Sequence, residues 1–541
     1  MMTFASNDEN QNVEETLPLK HAHLGNHICE NGGQNDNEIT NPEEISKESK
    51  SHRRWSCNEF MAEVKSLRFL AAPLITINLS QYFLLVISLT MVGHIGDQLS
   101  LSSSAIAISF ASVTGFSPTC GIASALETLC GQAYGAKQYR QFGVRVQTAV
   151  FSVNLVCVPI SVLWIYMEDL LLLIGQNPLI SHEAGQFAIC LIPALFAYAT
   201  LQALVRYFQM QSLTNPLITS STLTLCFHII LCWVLVFGAG LGSHGAAFAI
   251  GISYWFNVIL LSLHMFSPEC DKTRVPLSME LIQGVGEFFR YAIPSAGMIC
   301  LEWWSFELLI FMSGLLPDPK LETSVLSLCL ATMATVYTIP EGIGAAVSTR
   351  VSNELGAGNP GAACVSVSAS VFLTCAQALT VSSVMYACRH VLGHVFSNDE
   401  EVVEYVTTMA PLICLSVILD SVRVTLSGVA RGCGWQNLGA YVNLTAYYIC
   451  GVPLSAILGF WMQLRGPGLW IGIQIGSLLQ NILLITITCR TDWEKEANKA
   501  IERALDRSPA EKWGSKNEGY QLADHCVVVK IDMNCNTDSE K

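Results

Sequence analysis

Glu302 stands in the run CLEWWSFELLIF and Asp420 in LSVILDSVRVTLSG, two acids set among long apolar side chains. An ionised carboxylate at the centre of a bilayer costs on the order of 2.5 to 3.5 kcal/mol on insertion scales, a cost tolerated mainly at functional sites. Burial makes the charged form expensive, which suits such a group to gaining and losing a proton at working pH. Glu307 lies five residues past Glu302, about 140° around a helix, so the two acids cannot point into one cavity. One of them faces a neighbouring helix, and Glu307 is kept as a tentative cavity residue. Arg423, three residues after Asp420, is placed on the same helical face as a possible ion-pair partner that would make Asp420 a structural charge. Trp303, Trp304 and Phe306 flank Glu302, with Tyr337, Tyr447 and Tyr448 on later segments. Such rings stack on flat organic molecules and attract cations through their quadrupoles, and they also pack in ordinary cores or interfacial belts. Gln81, Trp303, Phe306, Tyr337, Tyr447 and Asn443 join the candidate lining of the substrate cavity.

These residues need a frame that holds them in lipid. The chain has 541 residues, of which 51% are hydrophobic and 13% charged, with a mean hydropathy of +0.42. An ordinary soluble chain carries roughly 25% charged residues, so this is the composition of a membrane protein. The formal net charge of −14 argues against nucleic acid as a partner, since binding phosphates takes Lys and Arg. Most of the 20 cysteines fall singly inside apolar runs and read as packing residues, without a disulfide framework.

Between residues 69 and 488 twelve segments are each about long enough to cross a bilayer core as a helix. They span 69–93, 104–129, 144–167, 185–208, 216–238, 244–265, 291–315, 324–350, 365–388, 404–430, 437–461 and 466–488. Helices satisfy every backbone amide in lipid, and no period-two alternation offers a barrel instead, so the fold class is an all-α membrane protein. Residues 1–65 are polar and read as a disordered tail, and the first apolar run is too long for a secretory signal peptide. Residues 491–541 form a second polar tail in which TDWEKEANKAIERALDR spells a short amphipathic helix.

Lys137, Arg140, Arg145, Arg206, Lys272, Arg274 and Arg290 cluster after helices two, four and six. Basic residues mark the cytoplasmic side, so both termini are expected there, although Lys320, Arg389 and Arg465 fall on the other side. Adding 221 to first-half positions superimposes Ala71 and Pro73 on Ala292 and Pro294, and Gly121, Ala125, Thr128, Gly135 and Ala136 on Gly342, Ala346, Thr349, Gly356 and Ala357. An even number of helices lies between equivalents, so two six-helix lobes, 66–268 and 269–490, are related by an axis along the membrane normal and enclose a central cavity. That is a transporter plan, since rocking one lobe against the other exposes the cavity to alternate sides. The repeat breaks where Gln81 falls on Glu302, an amide against an acid. Pro73 and Pro294 each lie eight residues before that pair, where a bend could reposition the acid.

No phosphate loop, HExxH or G-x-S-x-G motif is present in the sequence, so neither direct ATP drive nor these enzyme chemistries are indicated. His182 and Glu183 read as part of a solvated loop, and His228 as a packed side chain. Few basic residues lie in mid-helix apart from Arg423; a cavity lined by Arg or Lys would favour a flippase of lipid-linked molecules.

The runs CLEWWSFELLIFMSGLLPDPKLETSVLS, YTIPEGIGAAVSTRVSNELGAGNP, LSGVARGCGWQNLGAYVN and ETLCGQAYGAKQYRQFG closely resemble the multidrug and toxin extrusion (MATE) transporters, in particular the plant detoxification-carrier branch. The resemblance covers roughly residues 69–490. It implies twelve helices in two pseudo-symmetric lobes, alternating access, and export of organic solutes in exchange for protons, without an enzyme activity or cofactor. The proton gradient would be the energy source. It further implies Glu302 and Asp420 as the proton-coupling positions, and Ala331 stands where animal relatives carry a further glutamate. Small organic substrates, protons and the bilayer are the partners so implied, for a monomer in the vacuolar or plasma membrane. Sodium-coupled export and lipid flipping are the alternatives.

Overall fold

The computed structural model describes residues 56–396 and 400–505. Among the described residues, twelve helices are long and apolar enough to cross a membrane: α1 Cys57–Gly93, α2 Gln98–Gly135, α3 Tyr139–Ile165, α4 Pro178–Met210, α5 Asn215–Gly238, α6 Gly242–His264, α7 Val285–Ser313, α8 Pro319–Gly356, α9 Pro360–Ala387, α10 Glu400–Cys433, α11 Gln436–Trp461 and α12 Arg465–Arg490. Each expected span has its helix, and most run past the apolar stretch at one end or both. The reason is local. Ser56 accepts from the Glu59 amide while the Glu59 carboxylate accepts from that of Ser56, a capping box that starts α1 within the segment read as a tail. The remainder of that tail, 1–55, lies outside the described residues, as do 506–541. Asp97 caps α2 by accepting from the amides of Leu99 and Ser100 and from the Ser100 hydroxyl, which hold its carboxyl below the usual range. Pro178, Pro319 and Pro360 open α4, α8 and α9, where the missing N–H is no loss.

His182 belongs to the first turns of α4 and not to a loop, and its ring nitrogen lies 3.1 Å from Glu168 on the preceding short helix. His228 is packed as expected, between the hydroxyls of Ser253 and Ser88 at 2.9 and 3.1 Å. The amphipathic segment after α12 is helix α13, Trp493–Leu505, whose Ala497, Ala500 and Ala504 are buried.

One buried apolar cluster runs through the first-half helices and takes in Ile343, Val347, Val351 and Val429 from α8 and α10. A second lies among second-half residues, from Leu309 to Ile473. Helix α8 is the long strut of the molecule, packing along α10, α1 and α2. Small residues permit these approaches, as is usual where membrane helices cross closely: a Cβ on Gly344 would meet the Val424 carbonyl oxygen at 2.9 Å.

Candidate functional site: a charged cavity between the two halves

A cavity of about 320 Å³ opens among α1, α2, α4, α6, α7, α8 and α10, so residues from both halves of the sequence form its wall. In α2 the residues Ser112–Phe116 make a π-helical turn followed by Pro118, and Ser112, Phe116 and Ser117 face the cavity. Such turns insert a residue and re-aim the side chains that follow.

Four of the sequence-predicted residues line this cavity: Gln81 on α1, Glu302 and Trp303 on α7, and Tyr337 on α8. Glu302 is 6% exposed and accepts a hydrogen bond from the Tyr337 hydroxyl at 3.0 Å. Its carboxylate is ion-paired with Arg423, which is 1% exposed. The same guanidinium donates through Nε to Asp420 Oδ1 at 3.2 Å, and Ser477 donates to that oxygen at 3.3 Å. Arg423 therefore bridges the two acids. The expected Asp420 partner is present, and it is shared with Glu302. The Tyr337 ring lies 5.8 Å from the guanidinium carbon and 5.5 Å from the Trp303 ring.

Asp420 itself stands behind the wall, 3% exposed. Asn443 is wholly buried, donating to the Met298 carbonyl at 2.6 Å and accepting from Gln480 at 2.7 Å, so it ties α11 to α7 and α12. Tyr447 is also buried; its hydroxyl is 3.1 Å from Ser477 Oγ and its ring 6.4 Å from that of Phe306, which is half-buried. Glu307 is exposed on α7, away from the cavity lining, as the angular separation from Glu302 requires.

Sequence reasoning passed over a second set of charges on the wall: Glu127, Arg206, Glu341 and Arg431. Glu127 on α2 accepts from Arg431 Nε at 2.8 Å and lies 3.5 Å from Arg206 Nε. Arg206 Nη1 donates to Gln202 at 2.7 Å, and Gln202 donates to Gln81 at 3.1 Å. Thus Gln81, the repeat mate of Glu302, begins a polar chain that leads to this second set. By sequence, Arg206 reads only as a helix-end charge. The depth criterion used for Glu302 would have found Glu341, which lies well inside the span 324–350 in YTIPEGIG.

Twelve described helices long enough to span a membrane, seven of which wall a cavity that holds paired charges and aromatic rings, fit the plan of a membrane carrier. The MatE family model matches residues 73–234 and 294–457, covering the two repeated segments. Protein DETOXIFICATION 14 of Arabidopsis thaliana is 56% identical over 462 residues, which is 85% of this chain and 95% of that protein. Protein DETOXIFICATION 5 of the same plant is 50% identical over 465 residues, 86% of this chain and 97% of its own. A crystal structure of the eukaryotic MATE transporter AtDTX14 superposes with a TM-score of 0.80 at 56% identity, covering 83% of this chain and 100% of that one. The Vibrio cholerae MATE transporter VcmN shares the fold, with a TM-score of 0.73 at 14% identity, over 83% of this chain and 100% of its own. The chain belongs to the MATE family of multidrug and toxin extrusion transporters, which are carriers and not enzymes.

Proposed function

We propose that this transporter exports cationic or polar aromatic solutes from the cytosol in exchange for protons, by alternating access of the cavity between lobes 66–268 and 269–490. The observation that carries the reading is the Glu302–Arg423–Asp420 group, in which two buried carboxylates share one guanidinium. With both acids ionised the group keeps one negative charge in a low-dielectric setting, which is costly. A single proton neutralises it. Protonation from the outer or lumenal side would remove the charge that favours a cationic solute and release it; loss of the proton to the cytosol would restore that charge. The hydrogen bond from the Tyr337 hydroxyl to Glu302 supports the reading, since it links a cavity-wall group to that carboxylate.

The driving force is sufficient. Each pH unit supplies ~1.4 kcal/mol and 100 mV adds ~2.3 kcal/mol per charge. Two pH units and 100 mV thus give about 5 kcal/mol per proton, a several-thousand-fold accumulation of a neutral solute. On this reading the protein acts as a monomer in the vacuolar or plasma membrane with both termini in the cytoplasm, an orientation supported by the clustering of basic residues near the ends of even-numbered helices. Guanidiniums on the wall would suit a flippase of anionic lipid-linked molecules. Here Arg206 and Arg431 both face Glu127, which weakens that alternative.

Uptake of a fluorescent organic cation into proteoliposomes with an acid-inside gradient tests the reading. Accumulation is expected for the wild-type protein and to collapse in Glu302→Gln and in Asp420→Asn. Accumulation driven by sodium in place of the pH gradient, or undiminished in both variants, would refute it.

A further inference from the structure

Glu341 is the carboxylate on the cavity wall for which the described residues provide no hydrogen bond and no ion pair. It follows Tyr337 by one helical turn on α8, so the two lie on the same face and Glu341 continues the wall beyond the Glu302 group. Arg206, Arg431, Glu127 and Glu302 share the cavity wall with it. Glu302 belongs to the group with Arg423 and Asp420, which holds one negative charge of its own when both acids are ionised. Glu127 is shared between Arg206 and Arg431, two guanidiniums against one carboxylate. That inner part of the cavity would carry one uncompensated positive charge if Glu341 were neutral, and the carboxylate of Glu341 cancels it.

Aromatic rings stand around the same space. Phe116 lies 4.8 Å from Tyr198 and 6.4 Å from Tyr254, and all three line the cavity. A flat organic cation could lay its rings against them and its charge towards a carboxylate. An organic anion would meet that carboxylate at unfavourable cost, in a site where screening by water is weak.

We propose that Glu341 sets the charge selectivity of this cavity, admitting aromatic monocations and rejecting aromatic anions by offsetting the excess of Arg206 and Arg431 over Glu127. The proposal rests on the cavity's being the substrate site and is independent of which ion drives transport. Removing the charge while keeping the side-chain shape leaves one guanidinium charge uncompensated beside the aromatic rings, so binding should weaken for cations and strengthen for anions.

Equilibrium binding of two xanthene dyes of similar frame, cationic rhodamine 123 and anionic fluorescein, read by fluorescence anisotropy on the purified full chain without any gradient, tests this. Wild type is expected to bind rhodamine 123 more tightly. Glu341→Gln should weaken rhodamine 123 by roughly tenfold, the equivalent of about 1.4 kcal/mol, and tighten fluorescein. Glu341→Asp should keep the wild-type order of preference, which separates loss of charge from loss of shape. Unchanged rhodamine 123 binding in Glu341→Gln, equal weakening of both dyes, or an Asp variant that behaves like the Gln variant would each overturn the proposal. A wild type that binds neither dye would overturn the cavity reading beneath it. Because no gradient is applied, none of these results bears on proton coupling, which the Glu302 and Asp420 flux measurements decide separately.

Discussion

Arg423 is the residue on which the two predicted acids depend, and its value is negative: it is retained because removing it would strand charge. A buried pair broken from one side typically costs about 3–5 kcal/mol, since the remaining charge has no water to return to. Arg423→Met should therefore lower the thermal unfolding temperature of the detergent-purified protein sharply, and adding Glu302→Gln to it should restore a large part of the loss, because one stranded acid is then gone. If the single variant melts with wild type, the bridge has no structural weight. Both acids were legible in the sequence because a charge in an apolar run is conspicuous and few ordinary reasons exist for it. The sharing of one guanidinium between α7 and α10 was not, because helical periodicity pairs residues three or four apart and carries no information about a helix more than a hundred residues away. Asn443 and Tyr447 illustrate the same limit, since their segment could be placed but the side of it that faces α7 and α12 could not.

At the scale of helices, hydropathy located all twelve spans because lipid leaves a chain no other way to satisfy its amides. Ends were less legible, since capping and packing carry helices beyond the hydrocarbon, as Ser56 does for α1 and the approach of Gly135 to Asn353 and of Gly356 to Gln132 does for α2 and α8. The crossing of α8 and α10 likewise depends on small residues. A methyl group at Gly428 would come within 2.8 Å of the Gly344 carbonyl carbon, backbone that cannot swing aside. Gly428→Ala should push the two helices apart and cost about 1–3 kcal/mol, the range for overpacking a close-fitted contact. Thermal unfolding reads the loss directly, and a variant as stable as wild type would show that α8 and α10 have room to separate. The crossing holds the charged groups at the cavity in place, because α8 carries Tyr337 and Glu341 while α10 carries Asp420, Arg423 and Arg431.

On the scale of the whole molecule, polar contacts between the two halves crowd towards the end where α2, α4, α8 and α10 finish. Gln132 of α2 donates to the Gly432 carbonyl at 3.1 Å, Asn353 of α8 to the Met210 carbonyl at 3.1 Å, and Thr128 bonds both the Arg431 carbonyl and Gln436. Helix α13 closes over this end. Its Arg503 donates to Gln132 Oε1 at 2.9 Å and to the Cys433 carbonyl at 3.1 Å, while Arg145 of α3 donates to the Arg503 carbonyl at 2.8 Å. One side chain thus joins a first-half helix to a second-half helix, although it lies in a segment whose sequence shows only amphipathic periodicity. Rocking of the lobes by alternating access would have to part these contacts, so the clasp should favour the arrangement in which this end is shut. Arg503→Ala is expected to raise hydrogen–deuterium exchange in residues 128–136 and 430–436 relative to wild type, with the opposite ends of α2 and α10 unchanged. Exchange that stays at the wild-type rate in both segments would show that the helix ends hold together without the clasp, and exchange that rises throughout the molecule would mark a general loss of stability instead.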